Sequence, residues 1–174
     1  MNITYEFIIA QLFGLMALIV LIISFNTKNK KRLLKYQIFS CLLYGLQYLF
    51  LKAYTGFLMN IVCMIRNYLF YKSKKKIPIY YLIIIISLII ILGIISYKDI
   101  FSLLPISAVI LYTIALFKGN TKIIRIFELI CCMLYLLYNI KVQAYIGVIS
   151  TIIEFIGCTI FCIKHDIINK ETKI

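Results

Sequence analysis

Long apolar runs alternate with short polar segments along the whole chain. Seven runs stand out, at residues 6–25, 34–51, 54–71, 78–96, 100–117, 123–141 and 144–163. A helix needs roughly 20 mostly apolar residues to cross a bilayer, where it satisfies its own backbone hydrogen bonds. Barrel strands would be about 10 residues long with alternating polarity, and the runs show no such alternation. The pattern predicts an all-α integral membrane protein with seven transmembrane helices.

The positive charges are concentrated on one side of the predicted membrane. The segments after the first, third, fifth and seventh runs hold fifteen Lys and Arg residues, whereas the other side holds only Lys52, Lys98 and Lys141. Because cytoplasmic segments carry the excess of Lys and Arg, we expect the N-terminus outside and the C-terminus in the cytoplasm. Residues 1–6 hold no Lys or Arg, which argues against a cleaved signal peptide.

The composition indicates that lipid is the surrounding solvent. Hydrophobic residues make up 64% of the chain, charged residues 14%, and the mean hydropathy is +1.02, whereas soluble domains are about 45–50% apolar. The net charge of +13 would suggest nucleic acid in a soluble protein, but here membrane orientation explains it. We expect the lipid bilayer and a small polar solute as partners, no nucleic acid, and an oligomeric state that the sequence leaves open, a homo-oligomer included.

The chain lacks the sequence patterns of a metal site or an enzyme. Six cysteines lie inside apolar runs, and none is flanked by His or by a second Cys pair at zinc-site spacing; they are Cys41, Cys63, Cys131, Cys132, Cys158 and Cys162. The sequence contains no phosphate-binding Gly-rich loop, no HExxH motif and no Ser-His-Asp set. We therefore predict no metal, no cofactor and no enzymatic activity.

An internal repeat relates the two halves of the chain. Shifting the sequence by 91 residues aligns 12–70 with 103–161, and sixteen of the 59 positions are identical, against about five expected by chance. This predicts a single membrane domain, 1–174, with a three-helix repeat at 6–71, a linker helix at 78–96 and a second repeat at 100–163. Because the linker crosses the membrane once more, both repeats have the same orientation.

Three stretches resemble the YgjV family of bacterial inner membrane proteins. They read AYTGFLMNIVCMIRNYLFYK at 53–72, FSLLPISAVILYTIALF at 101–117 and RIFELICCMLYLLYN at 125–139. The resemblance implies the bacterial inner membrane as the location. The order of three helices, a linker and three helices is similar to that of SWEET and PQ-loop membrane proteins, which implies a small-molecule transporter or facilitator. The alternative is a non-transporting membrane scaffold or receptor partner.

Ionisable residues inside a membrane span are costly, so each is a candidate for function. Arg66 and Glu128 lie at similar depths and are predicted either to form an ion pair or to act separately, with Arg66 reaching the interface and Glu128 pairing with Arg125. Glu154 lies near the middle of the last span. We expect it to serve a proton relay or a cationic substrate, or to be a neutral group bonded to a neighbouring helix.

Polar and helix-loosening residues complete the candidate site. Asn60 and Asn67 are seven residues apart on one helix face, and the repeat places Thr151 opposite Asn60. The resemblance to SWEET-like proteins implies that Asn60 with Thr151 or Glu154 lines a central site between the repeats; hydrogen bonding between helices is the alternative. Gly14 and Pro105 occupy equivalent repeat positions and are predicted hinges.

Overall fold

Seven α-helices make up nearly all of the computed structural model, which describes residues 5–25, 30–73, 78–118 and 121–163. A short 3-10 turn at Ile100–Ser102 precedes the fifth helix, and no strand occurs within the described ranges. The helices are α1 (Tyr5–Phe25), α2 (Lys30–Phe50), α3 (Tyr54–Lys72), α4 (Ile79–Ile95), α5 (Leu103–Lys118), α6 (Thr121–Lys141) and α7 (Tyr145–Cys162). Each predicted apolar run corresponds to one helix, so the prediction of an all-helical chain with seven helices is confirmed.

The outer surface of the helices is strongly apolar. On α4, Ile83, Ile91 and Ile94 are 62%, 55% and 72% exposed, and soluble monomers rarely leave such contiguous patches in water. Among the described residues, three segments are long and apolar enough to cross a membrane: Tyr5–Ser24, Ile100–Lys118 and Ile123–Lys141. Two further apolar helices are shorter, α4 and Tyr145–Ile160. The chain is therefore a membrane-embedded protein whose exposed isoleucines contact lipid.

The turn between α2 and α3 and the turn between α6 and α7 have the same geometry. Lys52 and Gln143, which are 91 residues apart, both have positive φ, at 57° and 59°. The next residue in each turn is an alanine whose N–H donates a hydrogen bond of 2.9 Å to a carbonyl of the preceding helix. Ala53 donates to the Tyr48 carbonyl, and Ala144 donates to the Asn139 carbonyl. Both alanines pack into one buried cluster with Tyr48 and Tyr138. The two turns therefore meet at the same end of the bundle, which we call the turn end; the opposite end, where α1, α3, α5 and α7 finish, is the loop end.

A second buried cluster joins α4 to α3 and α5. Met59 and Val62 of α3, Ile85 and Ile89 of α4 and Val109 of α5 pack together. The α4 helix thus presents a narrow buried stripe to α3 and α5 and leaves its remaining faces to lipid.

Candidate functional site

A cavity of about 180 Å³ lies inside the bundle, and it is partly open rather than sealed. Among the described residues, those that line the cavity come from every helix except α4. Six of the eight residues singled out from the sequence line this cavity: Asn60, Arg66, Asn67, Glu128, Thr151 and Glu154. The other two, Gly14 and Pro105, are not lining residues.

Many lining residues occur in pairs that are 91 positions apart in the sequence. Such positions would be equivalent in the predicted repeat, so the two halves of the chain contribute corresponding places to the cavity wall. The pairs are Leu21 with Tyr112, Gln37 with Glu128, Ser40 with Cys131, Cys41 with Cys132, Tyr44 with Tyr135, Tyr48 with Asn139, Asn60 with Thr151 and Cys63 with Glu154. The cavity therefore lies between the halves rather than within one of them.

One wall of the cavity is acidic. Glu128 and Cys132 are one helical turn apart on α6, and Glu154 faces them from α7, so that the carboxylate and thiol atoms of the three residues lie within 4.8 Å of one another. No described residue gives Glu154 a hydrogen bond or an ion pair. Carboxylate and thiolate groups this close can share a proton or hold a cation. Sequence reasoning missed Cys132, although its spacing of four from Glu128 is the signal for a shared helix face.

Arg66 lines the same cavity and is only 4% exposed. Its guanidinium donates to Asn67 Oδ1 at 3.3 Å from both Nε and a terminal nitrogen, and to Thr113 Oγ1 at 3.2 Å. The Tyr112 ring lies 5.0 Å from the guanidinium carbon, and the Tyr112 hydroxyl lies beside Glu128.

The predicted Arg66–Glu128 ion pair is not formed. Among the described residues, no carboxylate lies within the 4.0 Å ion-pair distance of Arg66. Tyr112 contacts both charged residues, Arg66 through its ring and Glu128 through its hydroxyl. The Arg66 side chain is buried in the bundle, and the alternative, that it reaches the membrane interface, stays a prediction. The pairing of Glu128 with Arg125 stays a prediction.

Asn60 and Thr151 make the same local contact in their respective helices. Asn60 Nδ2 donates to the Gly56 carbonyl at 2.9 Å, and Thr151 Oγ1 donates to the Gly147 carbonyl at 2.8 Å. Thr151 also accepts a hydrogen bond of 3.0 Å from Asn139 Nδ2, which joins α6 to α7. Both residues line the cavity, and their part in a solute site stays a prediction.

Hydrogen bonds join the two halves of the chain at the turn end. The Tyr48 hydroxyl donates to Asn139 Oδ1 at 2.6 Å, and the Gly56 N–H donates to the Tyr138 hydroxyl at 2.9 Å. Gln11 bridges α1 to α7, where its Nε2 donates to the Gln143 carbonyl at 3.0 Å and its Oε1 accepts from the Ile146 N–H at 3.1 Å.

These contacts also provide partners for N–H groups in the first turns of α3 and α7. The N-cap positions of α3 and α7 are Ala53 and Ala144, which make no side-chain cap hydrogen bond, although the first N–H groups of a helix need a partner. Tyr138 from the second half supplies one for α3, and Gln11 from the first half supplies one for α7. Each half thus completes the third helix of the other.

The two predicted hinge residues lie outside the cavity. A Cβ on Gly14 would be 2.5 Å from Gln47 Nε2, so the glycine makes room for a fully buried Gln47. Pro105 is buried in the first turn of α5, where the missing N–H interrupts no intrahelical hydrogen bond. Close packing and helix initiation therefore account for both residues, and the hinge role stays a prediction.

Comparison with known proteins identifies a family and no individual relative. The family model Imp-YgjV, described as "Bacterial inner membrane protein", matches residues 8–166. Comparisons with curated proteins and with solved structures give no match.

Proposed function

Because this chain belongs to the YgjV family of bacterial inner membrane proteins, we propose that it is a carrier or facilitator for a small polar solute. The observation that carries the proposal is the cavity between the two halves, whose lining comes largely from equivalent positions 91 residues apart and includes Arg66, Glu128 and Glu154. In transporters built from repeats, the substrate site lies at the repeat interface near the midplane.

The proposed architecture is that of two parallel three-helix repeats, 6–71 and 100–163, joined by the linker helix, as in SWEET and PQ-loop proteins. Three observations support the repeat: the sixteen identities at the 91-residue offset, the matching turns at Lys52 and Gln143, and the paired lining residues. All seven helices cross the membrane in this proposal. The two turns face the outside, and the loop end faces the cytoplasm, in agreement with the distribution of Lys and Arg.

The turn-end hydrogen bonds fit one state of an alternating-access cycle. Tyr48 with Asn139 and Gly56 with Tyr138 join the halves on the outer side, while Arg66, Tyr112 and Glu128 line the cavity closer to the loop end. Transport then requires the outer contacts to separate while the cytoplasmic side closes. Such a carrier works by facilitated diffusion or by coupling to an ion.

The alternative, a scaffold or receptor partner that does not transport, predicts a dry interior packed with isoleucine. A cavity lined by Asn60, Arg66, Glu128 and Glu154 favours the carrier instead, because such groups are costly in a membrane unless they serve a function.

Uptake into proteoliposomes tests the proposal. Purified protein is reconstituted, incubated with a mixture of amino acids, hexoses and small organic acids, and the lumen is analysed by mass spectrometry. We expect at least one solute to exceed its level in protein-free liposomes and to fall again with the Asn60→Leu variant. If folded wild-type protein admits none above the protein-free level, the carrier proposal is wrong and the scaffold is preferred.

A further inference from the structure

We infer that the cavity binds a small zwitterion, an α-amino acid whose carboxylate contacts Arg66 and whose ammonium group contacts Glu128 and Glu154. The inference rests on the proposed function for its biological consequence, which is transport, but binding itself can be measured separately. It specifies the substrate class that the cavity accepts.

The anionic end of the ligand follows from the surroundings of Arg66. A guanidinium has five N–H donors. The hydrogen bonds from Arg66 to Asn67 and Thr113 use one N–H of each of its three nitrogens, which leaves one N–H on each terminal nitrogen. No carboxylate in the described chain lies within ion-pair distance, although the side chain is 4% exposed. A buried guanidinium with free donors on its terminal nitrogens matches the geometry of a carboxylate ligand.

The cationic end follows from the acidic wall. Glu128 and Glu154 face each other within 4.8 Å together with the Cys132 thiol, and like charges at this distance are stable only when a proton or another cation joins them. The Tyr44 hydroxyl, on the same cavity, is buried and makes no hydrogen bond within 3.5 Å to a described residue, although Ser150 lies beside it. An ammonium group offers three donors that these oxygens can accept.

The size of the cavity limits the ligand. A protein cavity of about 150 Å³ holds one benzene molecule, so a volume of about 180 Å³ accommodates roughly six to eight non-hydrogen atoms. Ligand pockets for larger molecules run from about 300 to 1,000 Å³. Alanine, serine and threonine fit this range, whereas disaccharides do not.

The mixed charge of the walls favours a zwitterion over a simple ion. Arg66 opposes a free divalent metal or an organic cation, since it places a positive charge on the same cavity. Glu128 and Glu154 oppose a free carboxylic acid anion in the same way. An α-amino acid satisfies both walls at once because its two charges are joined by a single carbon atom.

Three probes of equal heavy-atom count separate these possibilities. L-alanine is the zwitterion, L-alaninamide keeps only the positive charge, and L-lactate keeps only the negative charge; zinc chloride tests the acidic wall as a metal site. Binding to wild-type protein in detergent is measured by isothermal titration calorimetry, with thermal stabilisation as a second readout. We expect L-alanine to bind and the two singly charged probes to bind about tenfold more weakly or worse, since each leaves a buried charge unpaired.

Two variants locate the ligand, with one control. Arg66→Lys keeps the charge but loses the planar fork, and Glu154→Gln removes one acidic group; both are expected to weaken L-alanine binding about tenfold or more. Lys98→Gln, on the exposed segment before α5, is expected to leave it unchanged.

The wild-type panel decides the question even if a variant fails to fold. Equal binding of the three organic probes, binding of zinc chloride alone, or no binding of L-alanine overturns the inference. In those cases uptake of another solute would still support the carrier. Binding of L-alanine without uptake would retain the zwitterion site and reject transport.

Discussion

Three tyrosine-to-phenylalanine substitutions test whether the hydrogen bonds at the turn end hold the two halves together. Tyr48 and Tyr138 both use their hydroxyl groups across the interface between the halves. Tyr44 is also in α2, but its buried hydroxyl makes no hydrogen bond within 3.5 Å to a described residue. The three variants remove the same atom from similar surroundings, so they differ mainly in the hydrogen bond that is lost.

The expected magnitude follows from the groups left behind. Tyr48→Phe leaves Asn139 Oδ1 without its donor, and Tyr138→Phe leaves the Gly56 N–H without its acceptor; a buried polar group left unpaired costs about 1–3 kcal/mol. Hydrogen bonds between membrane helices average about 0.6 kcal/mol with a maximum near 1.7. We therefore expect each variant to lower the free energy of unfolding by about 1 kcal/mol, or about 2–4 °C in Tm for a chain of this size. Tyr44→Phe is expected to cause no loss.

The assay is thermal unfolding of purified protein in detergent without solute. Unfolding is monitored by tyrosine fluorescence, since the chain contains no tryptophan, or by a thiol-reactive dye. A double-mutant cycle of Tyr48→Phe with Asn139→Leu should give a coupling energy of about 1 kcal/mol, and a cycle of Tyr44→Phe with Asn139→Leu should give none. Equal shifts for all three tyrosine variants, or no coupling between positions 48 and 139, would refute the argument that these bonds join the halves.

Three further outcomes are expected. Glu154→Gln should flatten the fall of uptake at low pH in proteoliposomes, because the ionised carboxylate that holds the cationic group is lost on protonation; an unchanged pH profile would remove Glu154 from the mechanism. Gly56→Ala should destabilise the protein by about 1–3 kcal/mol in thermal unfolding, since a Cβ would lie 2.8 Å from Tyr48 Cγ. Gly157→Ala, whose Cβ would have no atom within 4 Å, should raise the free energy of unfolding by roughly 0.5–1 kcal/mol. The reverse order of stabilities would contradict the packing. Gln143→Gly should stabilise by about 1 kcal/mol because φ is 59°, while the backbone carbonyl that accepts from Gln11 is retained; a loss in Tm would show that the side chain matters more than the backbone.

Hydropathy predicted the helices well because each apolar run maps directly onto a buried or lipid-facing helix. It placed helix ends less well where the chain stays helical beyond its apolar part. The second run starts at 34, but α2 begins at Lys30, because backbone hydrogen bonding continues through polar residues that hydropathy does not count.

The sequence predicted how deep in the membrane the candidate site residues lie. It did not predict which neighbouring side chains they contact. Counting residues put Arg66 and Glu128 at similar levels, and both line the cavity. Their contacts depend on how α3, α5 and α6 pack, which no local pattern in the sequence encodes. Tyr112, which contacts both of them, carried no signal of its own because an aromatic residue in an apolar run is ordinary.

The caps of α3 and α7 were beyond sequence reasoning for a related reason. A capping residue normally stands within three positions of the helix start, and Ala53 and Ala144 give no such signal. The actual partners are 82 positions away for Gly56 and 135 positions away for Ile146. Such distances can be bridged only once the two halves are packed together.

The accessibility of Cys41 tests the central claim most directly. In a variant that retains only this cysteine, which lines the cavity and is partly exposed, a membrane-impermeant thiol reagent is applied to either face of sealed vesicles. A water-filled cavity closed at the turn end predicts labelling from the cytoplasmic face and none from the outer face in the absence of solute. Absence of labelling from both faces, with full labelling after denaturation, would show a dry interior and contradict the account.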